Sequence, residues 1–256
     1  MAGARLSSVI AAGETARRAL GFVPREVARR GVPLVGRVAA AAPDALLARE
    51  RYAALAQAYD VQTAAGQPYR RRAVERIAAR PGEVIIDVGC GTGLNFAQLQ
   101  AAIGPTGRLI GIDLSPEMLA EARARIERHG WSNVQLVESA AEHAQLSRCH
   151  ADAVLICGVH DVMRSPPALV NVLCGLRDRG RVVAAGPKWV PWWRPDAVPM
   201  NLSTWSVNRP YVTTFEGFDQ PWSRLAALAP DLEVEAVYGG GGYIAAGPWR
   251  RRRLRA

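Results

Sequence analysis

Residues 85–96 read IIDVGCGTGLNF, and no other stretch limits the fold so tightly. An aliphatic run ends in the acid Asp87, and Gly89, Gly91 and Gly93 follow at alternate positions. Glycine is the costliest residue to order, so glycines this dense belong where the backbone must turn sharply or meet a ligand closely. The pattern predicts a strand, a bare loop and then a helix beginning near Leu94.

Two cofactor chemistries use such a loop. Dinucleotide sites space their glycines G-x-G-x-x-G, so that the amides of a helix start face a pyrophosphate. Here Leu94 stands where the third of those glycines belongs, and the third glycine comes one position early. Asp87, two residues before the first glycine, suits a pyrophosphate poorly but can position a cationic amino-acid moiety.

From residue 83 onward, short apolar runs alternate with helical stretches, the pattern of parallel strands joined by crossover helices. The runs are residues 84–88, 108–112, 134–137, 153–157, 181–185, 232–238 and 242–246. Ser115-Pro116 and Ser165-Pro166 read as helix starts, with serine as cap and proline in the first turn. These helices are expected to end near Gly130 and Gly180. Residues 52–80 read as helical. The long stretch 187–222 shows no clear period, which suits a lid, an acceptor-side insertion or short helices that the pattern does not place.

The motif DVGCGTG resembles the first motif of class I S-adenosylmethionine-dependent methyltransferases, and three further segments support the resemblance. In LIGIDLSPEML (109–119), Asp113 sits where the family's acid binds the ribose, with Leu114 and Met118 beside the adenine. In VQLVESAAEH (134–143), Ser139 replaces the acid that often meets the adenine amino group, leaving Ser139, the backbone of Ala140, or Glu142 to supply the contact. In ADAVLICGVHDVM (151–163), Cys157 and Gly158 would border the methionine part, while His160 and Asp161 would face the acceptor.

The resemblance implies S-adenosyl-L-methionine as cofactor. Its implied binding residues are Tyr59, Asp87, Gly89, Gly91, Gly93, Asn95, Asp113, Leu114, Met118, Ser139, Ala140 and Cys157, with no metal. It implies an α/β, Rossmann-like, seven-stranded and mostly parallel sheet with helices on both faces and an antiparallel last strand. Residues 1–50 would form an N-terminal helical extension and residues 51–256 the methyltransferase domain. Quinone and phospholipid-headgroup methyltransferases are the most similar in character, so a small-molecule or lipid acceptor is expected. The loop after the fourth strand is not of the N-P-P-Y type, which disfavours nucleobase methylation.

Methyl transfer from a sulfonium is an in-line displacement that depends mainly on alignment. A base is required only when the acceptor must lose a proton. His160 is the candidate base and Asp161 its orienting group or an amine-binding carboxylate; packing is the alternative for His160. Tyr59 is the candidate lid contact to the methionine carboxylate, with helix packing as its alternative. Trp189, Trp192, Trp193 and Trp205 either pack the insertion or line an apolar acceptor site. RNA or protein methylation, and a cofactor-binding pseudoenzyme acting as a partner, are the competing functions.

The chain carries a net charge of +9, and every basic residue but Lys188 is arginine. The clusters Arg17-Arg18, Arg29-Arg30, Arg70-Arg71-Arg72 and Arg250–Arg253 read as solvated surface or as contacts to phosphates of nucleic acid or lipid. No recognised RNA module accompanies them, so nucleic acid is the weaker partner. No stretch has the roughly 18 apolar residues a bilayer-spanning helix requires. The four cysteines lack metal-ligand or paired spacing, so the expected setting is a reducing cytoplasm, with peripheral membrane contact through the basic ends.

Overall fold

The computed structural model describes residues 44–250. The expected helical extension at 1–50 therefore lies outside the described residues up to position 43, as do Arg251–Arg253 of the basic tail.

Helices α1 (Ala45–Leu55), α2 (Tyr59–Gln62) and α3 (Gln67–Ile77) precede the sheet. Asp44 caps α1, its carboxylate accepting from the Leu47 amide at 3.0 Å. The alternation of strand and helix then begins with β1 (Val84–Val88), α4 (Phe96–Ile103), β2 (Arg108–Asp113), α5 (Pro116–His129) and β3 (Val134–Glu138). It continues through β4 (Ala151–Cys157), α6 (His160–Arg164), α7 (Pro166–Cys174) and β5 (Leu176–Pro187). After β5 come α8 (Ala197–Asn208), α9 (Ser223–Leu228), β6 (Glu233–Val237) and β7 (Gly242–Pro248).

The sheet order is β3-β2-β1-β4-β5-β7-β6, and only β7 runs antiparallel to its neighbours. All seven expected strands are present. Alternation along each central strand feeds two cores. Ile86, Val88, Val154 and Ile156 face α7 and α9 on one side. Ile85, Ala153 and Leu155 face α3, α4 and α5 on the other.

Ser115 and Ser165 cap α5 and α7 as expected, accepting from the Met118 and Ala168 amides at 3.2 and 3.3 Å. One boundary differs from expectation. The helix expected to run to Gly180 ends at Cys174, because Leu176 already pairs with Ala151 as strand. Residues 177–180 bulge out before Arg181 resumes the pairing opposite Ala153, with Arg179 at φ 57°.

Candidate cofactor and acceptor site

The glycine loop crosses the carboxyl end of β1, where the strand order turns from β2 on one side to β4 on the other, the usual ligand crevice of a doubly wound sheet. Gly89, Gly91 and Gly93 all have positive φ, at 63°, 55° and 78°. Their reasons differ. A side chain at Gly89 would put its Cβ 2.1 Å from Val159 Cγ1, and one at Gly93 would meet the Phe96 ring at 2.6 Å. A Cβ at Gly91 would have nothing within 4 Å, so the space above it is open to a ligand.

That space belongs to a cavity of about 430 Å³. Of the residues singled out in the sequence, Tyr59, Gly89, Gly91, Asp113, Leu114 and Met118 line it, as do Ser139, Ala140, Cys157, His160 and Asp161. Asp87, Gly93 and Asn95 are not among the lining residues.

Asp113 ends β2 with its carboxylate held by backbone amides, Oδ2 accepting from Gly91 at 2.8 Å and Oδ1 from Ser115 at 2.9 Å. Burial pushes its carboxyl above the ordinary range, and amides of Ser115, Gly91 and Leu114 pull it back. Asp87 is fully buried behind the loop, and its two oxygens accept from the Asn95 amide at 3.3 and 3.1 Å. Burial raises it to about 7, against the stabilising Asn95 hydrogen bond. Asn95 Oδ1 is buried without a hydrogen-bond partner. The Ser139 hydroxyl turns onto the Ala140 carbonyl at 3.0 Å. Burial lifts the Cys157 thiol to about 12, so it stays protonated.

At the other end, His160 and Asp161 both lie in the first turn of α6. His160 is buried, its Nε2 2.9 Å from the Glu216 carbonyl and its ring 4.3 Å from that of Phe218. Burial lowers it to about 4, so the imidazole is neutral near pH 7, with Nε2 as the donor. Burial raises the Asp161 carboxyl, offset by Thr213 and by the Arg51 charge. Around these groups stand Tyr52, Tyr59 and Tyr211, with ring centres 5.7 to 6.1 Å apart.

None of the four tryptophans expected as an alternative acceptor wall lines the cavity. Trp189 is buried against Phe215 and Phe218 at 5.3 and 5.1 Å, filling the small core beneath the insertion. Trp205 carries the Arg209 guanidinium 4.9 Å above its ring, and Trp193 is exposed. Tyrosines from α1, α2 and the stretch after α8 supply the aromatic wall instead.

Arg70 corrects a second reading. Its cluster reads as solvated surface, but Arg70 is only 6% exposed. Its guanidinium lies 5.9 and 5.8 Å from the Tyr59 and Tyr69 ring centres and donates to Tyr59 Oη at 3.4 Å. It donates also to the Thr63 carbonyl at 3.3 Å. The signal in the sequence is amphipathic spacing: Arg70 shares a helix face with buried Ala73, Val74 and Ile77, while Arg71 and Arg72 point outward.

A carboxylate at the end of the second strand, a bare loop under open space and a sheet turning at that point define a nucleoside-binding α/β domain. Residues 85–180 match the family model described as a methyltransferase domain, and that domain is of the class I S-adenosylmethionine-dependent type. It is 32% identical over 117 residues to a ubiquinone/menaquinone biosynthesis C-methyltransferase, UbiE, of Ectopseudomonas mendocina, covering 45% of this chain and 46% of that one. It is also 32% identical over 152 residues to an uncharacterised transposon protein of Streptomyces fradiae, covering 58% of this chain and 41% of the other. The chain thus spans less than half the length of these curated relatives. A crystal structure of an S-adenosylmethionine-dependent methyltransferase from Aquifex aeolicus shares the fold at TM-score 0.50 and 17% identity, covering 70% of this chain and 89% of that one.

Proposed function

We propose that the chain transfers a methyl group from S-adenosylmethionine to a hydrophobic small-molecule or lipid-like acceptor. The observation that carries this reading is one cavity with two chemically different ends: Asp113 and the open face of Gly91 at one, and Tyr52, Tyr211 and Val212 at the other. The quinone methyltransferase named among the relatives fits an acceptor that such an apolar, aromatic wall would hold.

The cofactor's sulfonium supplies an already activated methyl group. The chain's own residues bind and align. Asp113, its charge oriented by backbone amides, receives the ribose hydroxyls. Gly91 leaves room for the amino-acid portion, and Arg70 and Tyr59 face its carboxylate. Leu114 and Met118 flank the base, with Ser139 and Ala140 at its edge. Asp87 acts through Asn95, which it orients from behind the loop.

His160 positions rather than abstracts. With Nε2 engaged by Glu216, Nδ1 is its only proton acceptor, and a conjugate acid near 4 makes a weak base at neutral pH. Asp161, on the same turn, is the lining carboxylate beside His160 that can hold an acceptor proton. Residues 187–222 serve the acceptor side by contributing Tyr211 and Val212.

The test is incubation of the full chain with methyl-labelled S-adenosylmethionine and separate lipid and small-molecule extracts. A labelled product heavier than its precursor by one CH2, absent with Asp113→Ala, is expected from the apolar fraction. Label only in RNA or protein, or no label despite cofactor binding, would overturn the proposal.

A further inference from the structure

Nine large hydrophobic side chains stand exposed among the described residues, and seven of them lie at the end of the molecule that holds the cavity. Leu46 and Val61, 75% and 82% exposed, stand on α1 and α2. Trp193, 83% exposed, stands on the approach to α8, and Val198, Leu202 and Val207 stand on that helix. Tyr238 follows β6. The other two are Val170 on α7 and Val234 near the start of β6, at the opposite end of that strand from Tyr238.

These elements are joined to one another. Tyr211 Oη donates to Gln62 beside Val61 at 3.0 Å, and Arg51 of α1 donates to the Val212 carbonyl. Tyr238 Oη donates to the Ala65 carbonyl at 3.1 Å, and Arg194 donates to the Gly239 carbonyl at 2.7 Å. They form a collar beside the cavity, whose lining takes Ala45 and Ala48 from α1 and Tyr211 and Val212 from the segment after α8.

Helix α8, AVPMNLSTWSVN, carries no charged residue over its 12 positions. A helix on a water-facing surface ordinarily sets charges on its outer face. The outer positions of α8 are instead Val198, Pro199, Leu202, Ser203, Ser206 and Val207. Tryptophan favours the boundary between headgroups and acyl chains, and an apolar helix face can lie in that layer.

We propose that this collar docks on an anionic lipid bilayer, with α8 in the headgroup layer and the cavity mouth at the membrane surface. Charge selects this occupant. The basic excess that makes up the net charge of +9 falls at positions 1–43 and 251–256 of the sequence, where anionic headgroups would attract it and a second copy would meet like charge, while residues 44–250 hold equal numbers of acidic and basic residues and α8 meets the headgroup layer with no charge of its own. The inference gives the lipid-like acceptor of the proposed function a route to the cavity and rests on that reading for its purpose. Its test does not depend on methyl transfer.

The experiment is flotation of the full chain with phosphatidylcholine vesicles, with and without phosphatidylglycerol, alongside the Val198→Glu/Leu202→Glu double variant and Trp193→Ala. Calorimetry with S-adenosylmethionine reports whether each variant is folded, since none of the three residues lines the cavity. The expected result is flotation with the anionic vesicles, at least a tenfold lower bound fraction for the double variant, a smaller loss for Trp193→Ala, and unchanged cofactor binding. Failure of the wild type to float would overturn the proposal. So would equal flotation of the double variant, which would put the contact elsewhere, for instance at the basic ends. A wild-type dimer that the double variant dissolves, without vesicle binding by either, would make the collar a contact between copies and overturn it as well. Flotation that persists without any cofactor binding would leave the docking surface standing and remove the proposed function instead.

Discussion

Asp113 Oδ2 accepts a hydrogen bond from the Gly91 amide at 2.8 Å, tying the end of β2 to the crest of the glycine loop. The same carboxylate accepts from Ser115 at the start of α5. One side chain therefore both shapes the loop and faces the cavity. Hydrogen bonds to a charged group are worth about 1.5–3 kcal/mol each, so Asp113→Ala is expected to weaken S-adenosylmethionine binding by roughly ten- to a hundredfold at 1.4 kcal/mol per tenfold. Titration calorimetry checks this, and equal affinity of variant and wild type would remove Asp113 from the site.

Gly89 and Gly91 are expected to fail in different ways when changed to alanine. Both sit at positive φ, which costs an ordinary residue about 1–2 kcal/mol. At Gly89 the added Cβ also runs into Val159, and overpacking adds about 1–3 kcal/mol. Gly89→Ala should therefore lose the greater share of folding stability in denaturant titrations. Gly91→Ala should fold with the smaller loss but bind cofactor at least tenfold more weakly, because its methyl enters open space above the loop. Equal stability losses, or intact cofactor binding by Gly91→Ala, would contradict this division.

Asp87 makes stability depend on pH. Its ordinary value is 3.8, and burial raises it to about 7 in the folded chain. Between these values the folded state holds a proton that the unfolded state has released, so this group's contribution to stability falls as pH rises through that window. At about 1.4 kcal/mol per unit, the change is on the order of a few kcal/mol. Asp87→Asn cannot ionise and keeps an oxygen for the Asn95 amide. The difference in melting temperature, variant minus wild type, should grow from pH 5 to pH 8 in the absence of cofactor. A difference that stays flat would place the Asp87 carboxyl in its ordinary range.

The strands, the two serine caps and the glycine loop could be read from the sequence because each rests on a local rule: alternation, capping or positive φ. Asp113 could be read because its distance from the loop follows from one intervening helix. What escaped depends on packing across distant segments. Tyr52 and Tyr211 meet over 6.1 Å from positions far apart in the chain, and nothing near either one marks it. The tryptophans drew attention by composition, yet Trp189 is consumed by the core it makes with Phe215 and Phe218. Arg177–Gly180 resembled the end of a helix because a bulge in β5 uses the same polar, glycine-terminated composition. His160 was visible as a histidine after the fourth strand, but its bond to Glu216 is set by a loop 56 residues later.

Arg70 is a buried cation whose hydrogen-bond partners are neutral: the Thr63 carbonyl and hydroxyl and the Tyr59 hydroxyl, at 3.3, 3.4 and 3.4 Å. These distances are long for hydrogen bonds, and a buried charge without a close anionic partner is costly. Its ring neighbour Tyr69 brings its hydroxyl to 3.2 Å from where a Cβ at Gly158 would stand, just past the end of β4. A carboxylate arriving there with the amino-acid part of the cofactor would supply the missing anion. Arg70→Met keeps an apolar stem between the tyrosine rings and removes the charge together with the donors to Thr63 and Tyr59. It is expected to weaken S-adenosylmethionine at least tenfold while leaving methylthioadenosine, which has the nucleoside but no carboxylate, bound as in the wild type. Asp113→Ala should weaken both ligands, because the ribose is common to them. Calorimetry with the two ligands separates the roles: if Arg70→Met lowers both affinities alike, Arg70 supports the helix over the cavity and does not meet the carboxylate.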